Sequence, residues 1–349
     1  MAVSAKRIRL SDDAGATWFT LPGNSGEFQN EGQVLDDTIF GQLYQSGFPG
    51  LINWSCNGSA IYKGFAGYVA KIMQRSGAST PETAMATTAI VADAVYQITT
   101  YANRLLDYNN PVVVEDGGTP VLASDIESID YLHGIIRFVS GYTATGAITV
   151  DAYVFALTQL AGTKEFTLTM SAEAIDETTL PTAQANSGHR IFGQGLKTVE
   201  FEASGLYALS NGFRAALISR AEVVLEIQPT GTTETVFRGY FRYTTQGQSG
   251  DVGALEEETI NMVLSVPSVD NMYSPFSADF TSATSLSRAV RIAIEAYLSG
   301  DVIDVQYLPN GTTGLTGECI VTDVSLSGGL ESMNTFECSL QGTDQVSTV

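Results

Sequence analysis

The residues with the most chemical potential in this chain are adjacent acids in two similar heptads, VLDDTIF at 34–40 and AIDETTL at 174–180. Asp36–Asp37 beside Thr38, and Asp176–Glu177 beside Thr178, could ligate a metal, form a carboxylate dyad, or close a turn that a fold needs twice. The first two uses require the acids to converge on one cleft, and neighbouring residues of a strand point to opposite faces. An Asp just before a Thr commonly accepts local backbone hydrogen bonds at a strand end or turn, and that reading is favoured. Glu256, Glu257 and Glu258 form a third acidic run. It lacks the alternating-oxygen loop of a calcium site and reads as a solvated rim.

Other chemistry is thin. His133 and His189 are the only histidines, and neither has a Cys or carboxylate at zinc-ligand spacing. There is no nucleophile elbow, phosphate loop or dinucleotide fingerprint. Cys56, Cys319 and Cys338 are odd in number and lack CxxC spacing, which predicts reduced thiols; Cys319 and Cys338 are expected buried on neighbouring strands. NGS at 57–59 and NGT at 310–312 read as Asn-Gly turns. No catalytic, metal or cofactor residue is expected, and by elimination an enzyme is not.

The elements around these residues are mostly strands. At 349 residues the chain can bury more than one core, and its wealth of Gly, Thr, Ser, Val and Tyr suits β structure with tight turns. Against 38 Asp plus Glu stand 17 Lys plus Arg, a net charge of −21. That balance disfavours binding to a nucleic-acid backbone or to anionic lipid. The N-terminal stretch has no apolar core of a secretory leader, and the apolar runs are too short to span a membrane.

The heptads belong to a longer repeat. AGATWFTL (14–21) resembles AGTKEFTL (161–168), and GLINWSCNG (50–58) parallels GLKTVEFEASG (195–205). Further on, EVVLEIQPTGTT (222–233) resembles DVIDVQYLPNGTT (301–313). Each follows a helical pattern, at 210–221 and at 285–300, the latter with Ser285 as N-cap and Gly300 as stop. Both copies end in an alternating strand after a Leu-Glu pair, at 255–266 and 330–342. The order suggests one copy nested in another: 1–77 and 271–349 as the split copy, 161–270 as the continuous one. A small β-rich module at 78–160 lies between, opening with a capping-box helix at 79–94 and holding a hairpin pattern at 129–155. A tandem of 1–160 and 161–349 is the alternative.

GECIVTDVSLSGGLESMNTFECSLQGTD at 317–344 resembles the end of the major tail (tail tube) proteins of long-tailed bacteriophages, through Gly317, Val321–Thr322, Thr335–Phe336 and Leu340–Gln341–Gly342–Thr343. VLDDTIF followed by GLINWSCNG resembles that family's N-terminal pattern. The resemblance implies a mainly β protein of duplicated β-sandwich, barrel-forming tube domains, each with a short helix. It implies a virion structural protein of the siphovirus tail, assembled in the host bacterial cytoplasm. Its partners would be further copies of itself, a tape measure protein in the lumen, and tail tip and terminator proteins. Family rings hold six tube domains; two per chain favours a trimeric ring over a hexamer of single-domain chains.

DNA would then pass as cargo that is not bound. An acidic lumen removes the Lys/Arg–phosphate contacts that would slow it. Glu222, Glu226, Asp301 and Asp304 are candidate lining acids, with Val223, Leu225 and Ile227 on the opposite, core face of the strand. Leu35, Asp36, Asp37, Thr38, Ile175, Asp176, Glu177 and Thr178 become turn and interface residues. The rival readings are a carbohydrate- or receptor-binding β module and a glycan-active enzyme using the paired acids.

Overall fold

The computed structural model describes residues 6–37, 46–61, 70–160, 162–206, 217–249, 256–280, 286–330 and 332–349. They are mainly β, with few helices. By contacts the residues group into two units: 1–68, 167–200 and 283–349 in the first, 69–166 and 201–282 in the second.

The first unit contains β1 (Arg7–Ser11), β2 (Phe19–Thr20), β3 (Gly23–Asp36) and β4 (Gly47–Ile61). The second takes up the chain with β5 (Lys71–Val91), β6 (Val95–Ile98), β7 (Val113–Asp116), β8 (Thr119–Pro120), β9 (Ile126–Asp130), β10 (Ile135–Phe138) and β11 (Ile148–Gln159). β12 (Thr163–Asp176) and β13 (Phe192–Leu206) divide between the units at 166/167 and 200/201. β14 (Val223–Gln228), β15 (Val236–Ser249), β16 (Glu257–Leu264) and β17 (Phe276–Asp279) belong to the second unit. The first ends with a helix, Arg288–Ser299, then β18 (Ile303–Leu308), β19 (Leu315–Gly329), β20 (Thr335–Gly342) and β21 (Ser347–Thr348).

The two units repeat one ladder residue for residue. In the first, β19 pairs with β20 from Cys319↔Gly342 to Ser327↔Thr335, with a bulge between Val321 and Asp323. In the second, β15 pairs with β16 from Phe241↔Leu264 to Ser249↔Glu257, with its bulge between Tyr243 and Thr245. Ile303↔Cys319 on β18 corresponds to Val223↔Phe241 on β14. A short strand closes the start of each long one, β21 on β19 and β17 on β15. On the other flank, Arg7↔Leu308 corresponds to Lys71↔Gln228. A bulge re-aims every side chain beyond it, so keeping it in both copies keeps the inward-facing set on the core.

The second copy thus opens with Lys71 on β5, ahead of the repeat seen in the sequence, and the β-rich stretch 78–160 grows out of that strand. It is not a unit by itself: it groups with 201–282. Its core gathers Met85, Ile98, Leu106, Ile136 and Val150, and a second cluster of Leu105, Leu132 and Phe155 packs on Val224 and Tyr240 of the ladder.

The helix expected at 79–94 is strand. β5 runs through it, paired with β11 from Met73↔Gln159 to Ala86↔Thr149, then with β6. Pro81 is tolerated because the register breaks on either side of it. At one break Ala84 has φ +51°, and the Asp151 carboxylate accepts its backbone N–H at 2.6 Å. That side chain supplies the acceptor the ladder withholds. The 129–155 pattern divides likewise: β9 and β10 form a hairpin, while β11 joins β5 and β7.

Asn57-Gly58 lies inside β4 rather than in a turn, where a side chain at Gly58 would meet Leu21 and Ile8. Asn310-Gly311 is a turn: Gly311 has φ +83°, and Asn310 Oδ1 accepts the N–H groups of Thr312 and Thr313. The helix predicted at 285–300 spans Arg288–Ser299, capped by Ser287, whose hydroxyl accepts the Val290 N–H. Ser285 lies outside the described residues, as does most of the predicted 210–221 helix. Gly300 ends the helix at φ +88°.

All three cysteines are free and buried, with Cys319 on β19 and Cys338 on β20. Burial pushes the Cys56 and Cys338 thiols up to about 12. That keeps them protonated and unreactive. No described helix is long and apolar enough to cross a membrane.

Candidate assembly interface

The two heptads sit at matching ends of strand pairs, β3–β4 and β12–β13. In the second heptad Asp176 accepts the Thr178 N–H at 2.9 Å and an Arg190 Nη1–H at 2.8 Å. These bonds, those from Thr178 first, hold its carboxyl below the usual range. The Glu177 N–H donates to the Ile191 carbonyl, and the Thr178 hydroxyl accepts the Ile191 N–H, both at 2.9 Å. These residues close the β12–β13 connection. Ile175 is exposed beside them.

In the first heptad Val34 is 74% and Leu35 47% exposed, and Asp36 and Asp37 are exposed too. The Asp37 N–H donates to the Ser46 carbonyl across the connection. Thr38 lies outside the described residues. Among the described residues, no group of three or more His, Cys, Asp or Glu is placed to hold a metal.

The four candidate lining acids separate. Asp301 is exposed. Asp304 is half-buried opposite Ser11 and Glu318 in the sheet, and burial followed by Asp13 pushes its carboxyl up. Glu222 is half-buried and accepts the hydroxyls of Tyr108 at 2.5 Å and Ser265 at 2.8 Å. Glu226 cannot line a channel, because it is fully sealed. Its partner Arg238 donates Nη2–H at 2.6 Å and Nε–H at 2.7 Å, while Gln228 donates to the other carboxylate oxygen at 2.5 Å. The alternation that put Val223, Leu225 and Ile227 on a core face was right about Leu225 and Ile227. β14 is covered on both faces, with Val224 and Glu226 buried as well.

The acidic run 256–258 is only partly a rim. Glu257 is exposed and pairs with Lys164, while Glu258 is buried and accepts the Gln246 amide. His133 and His189 are both buried structural residues. His133 Nε2 lies 3.2 Å from the Ser277 carbonyl, and burial pushes its imidazole down; His189 Nδ1 lies 2.9 Å from the Asn186 carbonyl.

The sequence does not reveal the strand edges. In the first unit β12 pairs with β19, and several contacts seat the β12–β13 hairpin there. Gln194 donates to the Val321 carbonyl at 2.8 Å, and Lys197 to the Leu298 carbonyl at 2.7 Å. The Tyr297 hydroxyl lies 3.1 Å from the Ser171 carbonyl and 3.0 Å from that of Thr198. Thr343 exchanges hydrogen bonds with the Phe192 backbone, 2.8 and 3.0 Å. Thr343 closes the LQGT motif, and Val321, Lys197 and Thr198 also lie in stretches that the sequence singled out.

The corresponding edges carry no strand among the described residues. Beyond Phe241, β15 carries β16 on one side, and among the described residues no strand pairs with its other side. β3 pairs only with β4 among the described strands.

No family model and no curated protein matches the chain. Among solved structures it is similar to a chain of the tail of an empty gene transfer agent particle refined with C6 helical symmetry. Identity is 16% and TM-score 0.29, covering 36% of this chain and 87% of that one. It is likewise similar to a chain of the native gene transfer agent virion, at 16% identity and TM-score 0.28, over 32% of this chain and 85% of that one.

Proposed function

We propose that the chain is a structural virion protein that polymerises into stacked rings forming a phage-type tail tube. The observation that carries this reading is the ladder built twice in one chain, with the outer edge of β15 unpaired among the described residues and β3 exposed over 29–36. Complementary open edges at separate places let a protein add copies of itself head to tail, and a ring forms where the rotation between copies closes. The sequence resemblance to tail tube proteins supplies the particle. With two tube domains per chain, three chains complete a ring of six.

The acidic composition fits a conduit that DNA crosses without adhering, since each basic contact to phosphate would slow it. Asp301, Asp304 and Glu222 remain candidates for its lining. A tape measure protein, a tail tip complex and a terminator are the partners this role requires, and the role needs no cofactor, metal or catalysis. Sedimentation of the purified chain over a wide concentration range tests the proposal. Growth into rings and then long particles supports it; a single small species at every concentration refutes it.

A further inference from the structure

The two copies of the ladder differ in how their long strands are covered, and the difference specifies a joint. On β19, Val324 and Leu326 are fully buried, on a strand paired with β12. Their counterparts on β15, by the shared register, are Gln246 and Gln248, on a strand whose outer half pairs with no second strand among the described residues. The hairpins differ in the complementary sense. Leu168 and Met170 of β12 are buried, whereas β3 leaves residues 29–36 exposed and ends on Val34 and Leu35. One copy therefore presents the strand that β12 represents and lacks a seat, while the other presents the seat and lacks the strand.

We infer that β3 of one chain pairs with residues 244–249 of β15 in a second copy, on the strand edge that corresponds to the one β12 occupies on β19. The occupant is another copy because the pairing repeats one already made within the chain. Main-chain hydrogen bonds supply the attraction, as in any strand added to an open edge. The polar side chains of Thr245, Gln246, Gln248 and Ser249, on both faces of the strand, keep that edge soluble until it is filled. The joint is head to tail, so each chain uses both edges. This inference rests on the ring-and-tube reading for its purpose.

Two variants test it. Val34→Lys with Leu35→Lys places charge on β3, and Thr245→Lys with Gly247→Lys places it on β15; a side chain at Gly247 meets nothing within 4 Å. Each variant alone should remain a single chain, with a thermal midpoint within a few degrees of the unmodified protein. Mixed one to one, they should form a two-chain particle and nothing larger, because only one good edge of each kind remains. A mixture that stays monomeric, or a variant that assembles like the unmodified chain, overturns the pairing. Tubes from the unmodified chain with no dimer in the mixture would reject this joint and leave the tube reading standing. A dimer in the mixture without any tube from the unmodified chain would do the reverse.

Discussion

Arg238 Nη2 lies 2.6 Å from Glu226 Oε2, and neither side chain retains more than 1% of its exposure. The pair bridges β14 and β15 at the ladder position Glu226↔Arg238, which the first unit fills with Gln306↔Thr316. Arg238 also donates to the Leu132 carbonyl at 2.5 Å and lies over the Tyr101 ring, so it ties the stretch grown from β5 to the ladder.

Removing one partner strands a buried charge, so Glu226→Gln should cost about 3–5 kcal/mol of unfolding free energy. The double variant Glu226→Gln with Arg238→Thr copies the neutral pair of the first unit and should recover part of that loss. Denaturant titration of the single and double variants checks both expectations.

Gly342 and Gly317 flank the Trp54 ring, whose Nε1–H donates to the Asp344 carbonyl at 2.7 Å. A side chain at Gly342 would collide with the indole, so Gly342→Ala should destabilise by about 1–3 kcal/mol through overpacking. Gly247→Ala, with open space at its Cβ, should stay within about 0.5 kcal/mol. Thermal unfolding of the two variants compares them directly.

Asp13 accepts the Ser11 hydroxyl at 2.6 Å and the Thr17 N–H at 2.8 Å, which lowers its carboxyl to about 2. An unfolded Asp titrates near about 3.9. A depressed folded value contributes stability above the unfolded one and loses it as pH falls toward the folded one. The gap in thermal midpoint between the unmodified protein and Asp13→Ala should be full at pH 6 and shrink between about pH 4 and about pH 2. A gap that widens on acidification would contradict the assignment.

The β class and the repeated strands were legible because alternation and Gly-bearing turns are local signals. Asp176 and Thr178 were readable as turn residues for the same reason. The opening of the second copy at Lys71 was not, because KIMQ and RIRL match only in a basic residue followed by Ile, too short a likeness to stand out as a repeat. The false helix at 79–94 arose from a capping pattern whose Ser79 donates to the Asp107 carboxylate while Pro81 and Glu82 pair with β11. Glu226 was misplaced because period-two alternation assumes one wet face, and β14 has none. The open edges were invisible for a different reason: an unpaired strand edge is a property of topology, and no residue type marks it.

Self-assembly of the doubled ladder can be seen most directly by electron microscopy of the purified protein at high concentration. Hollow tubes of stacked rings are expected, each ring showing six similar sheets contributed by three chains. Compact particles under every condition, including in the presence of a tail-tip initiator complex, would contradict that assembly.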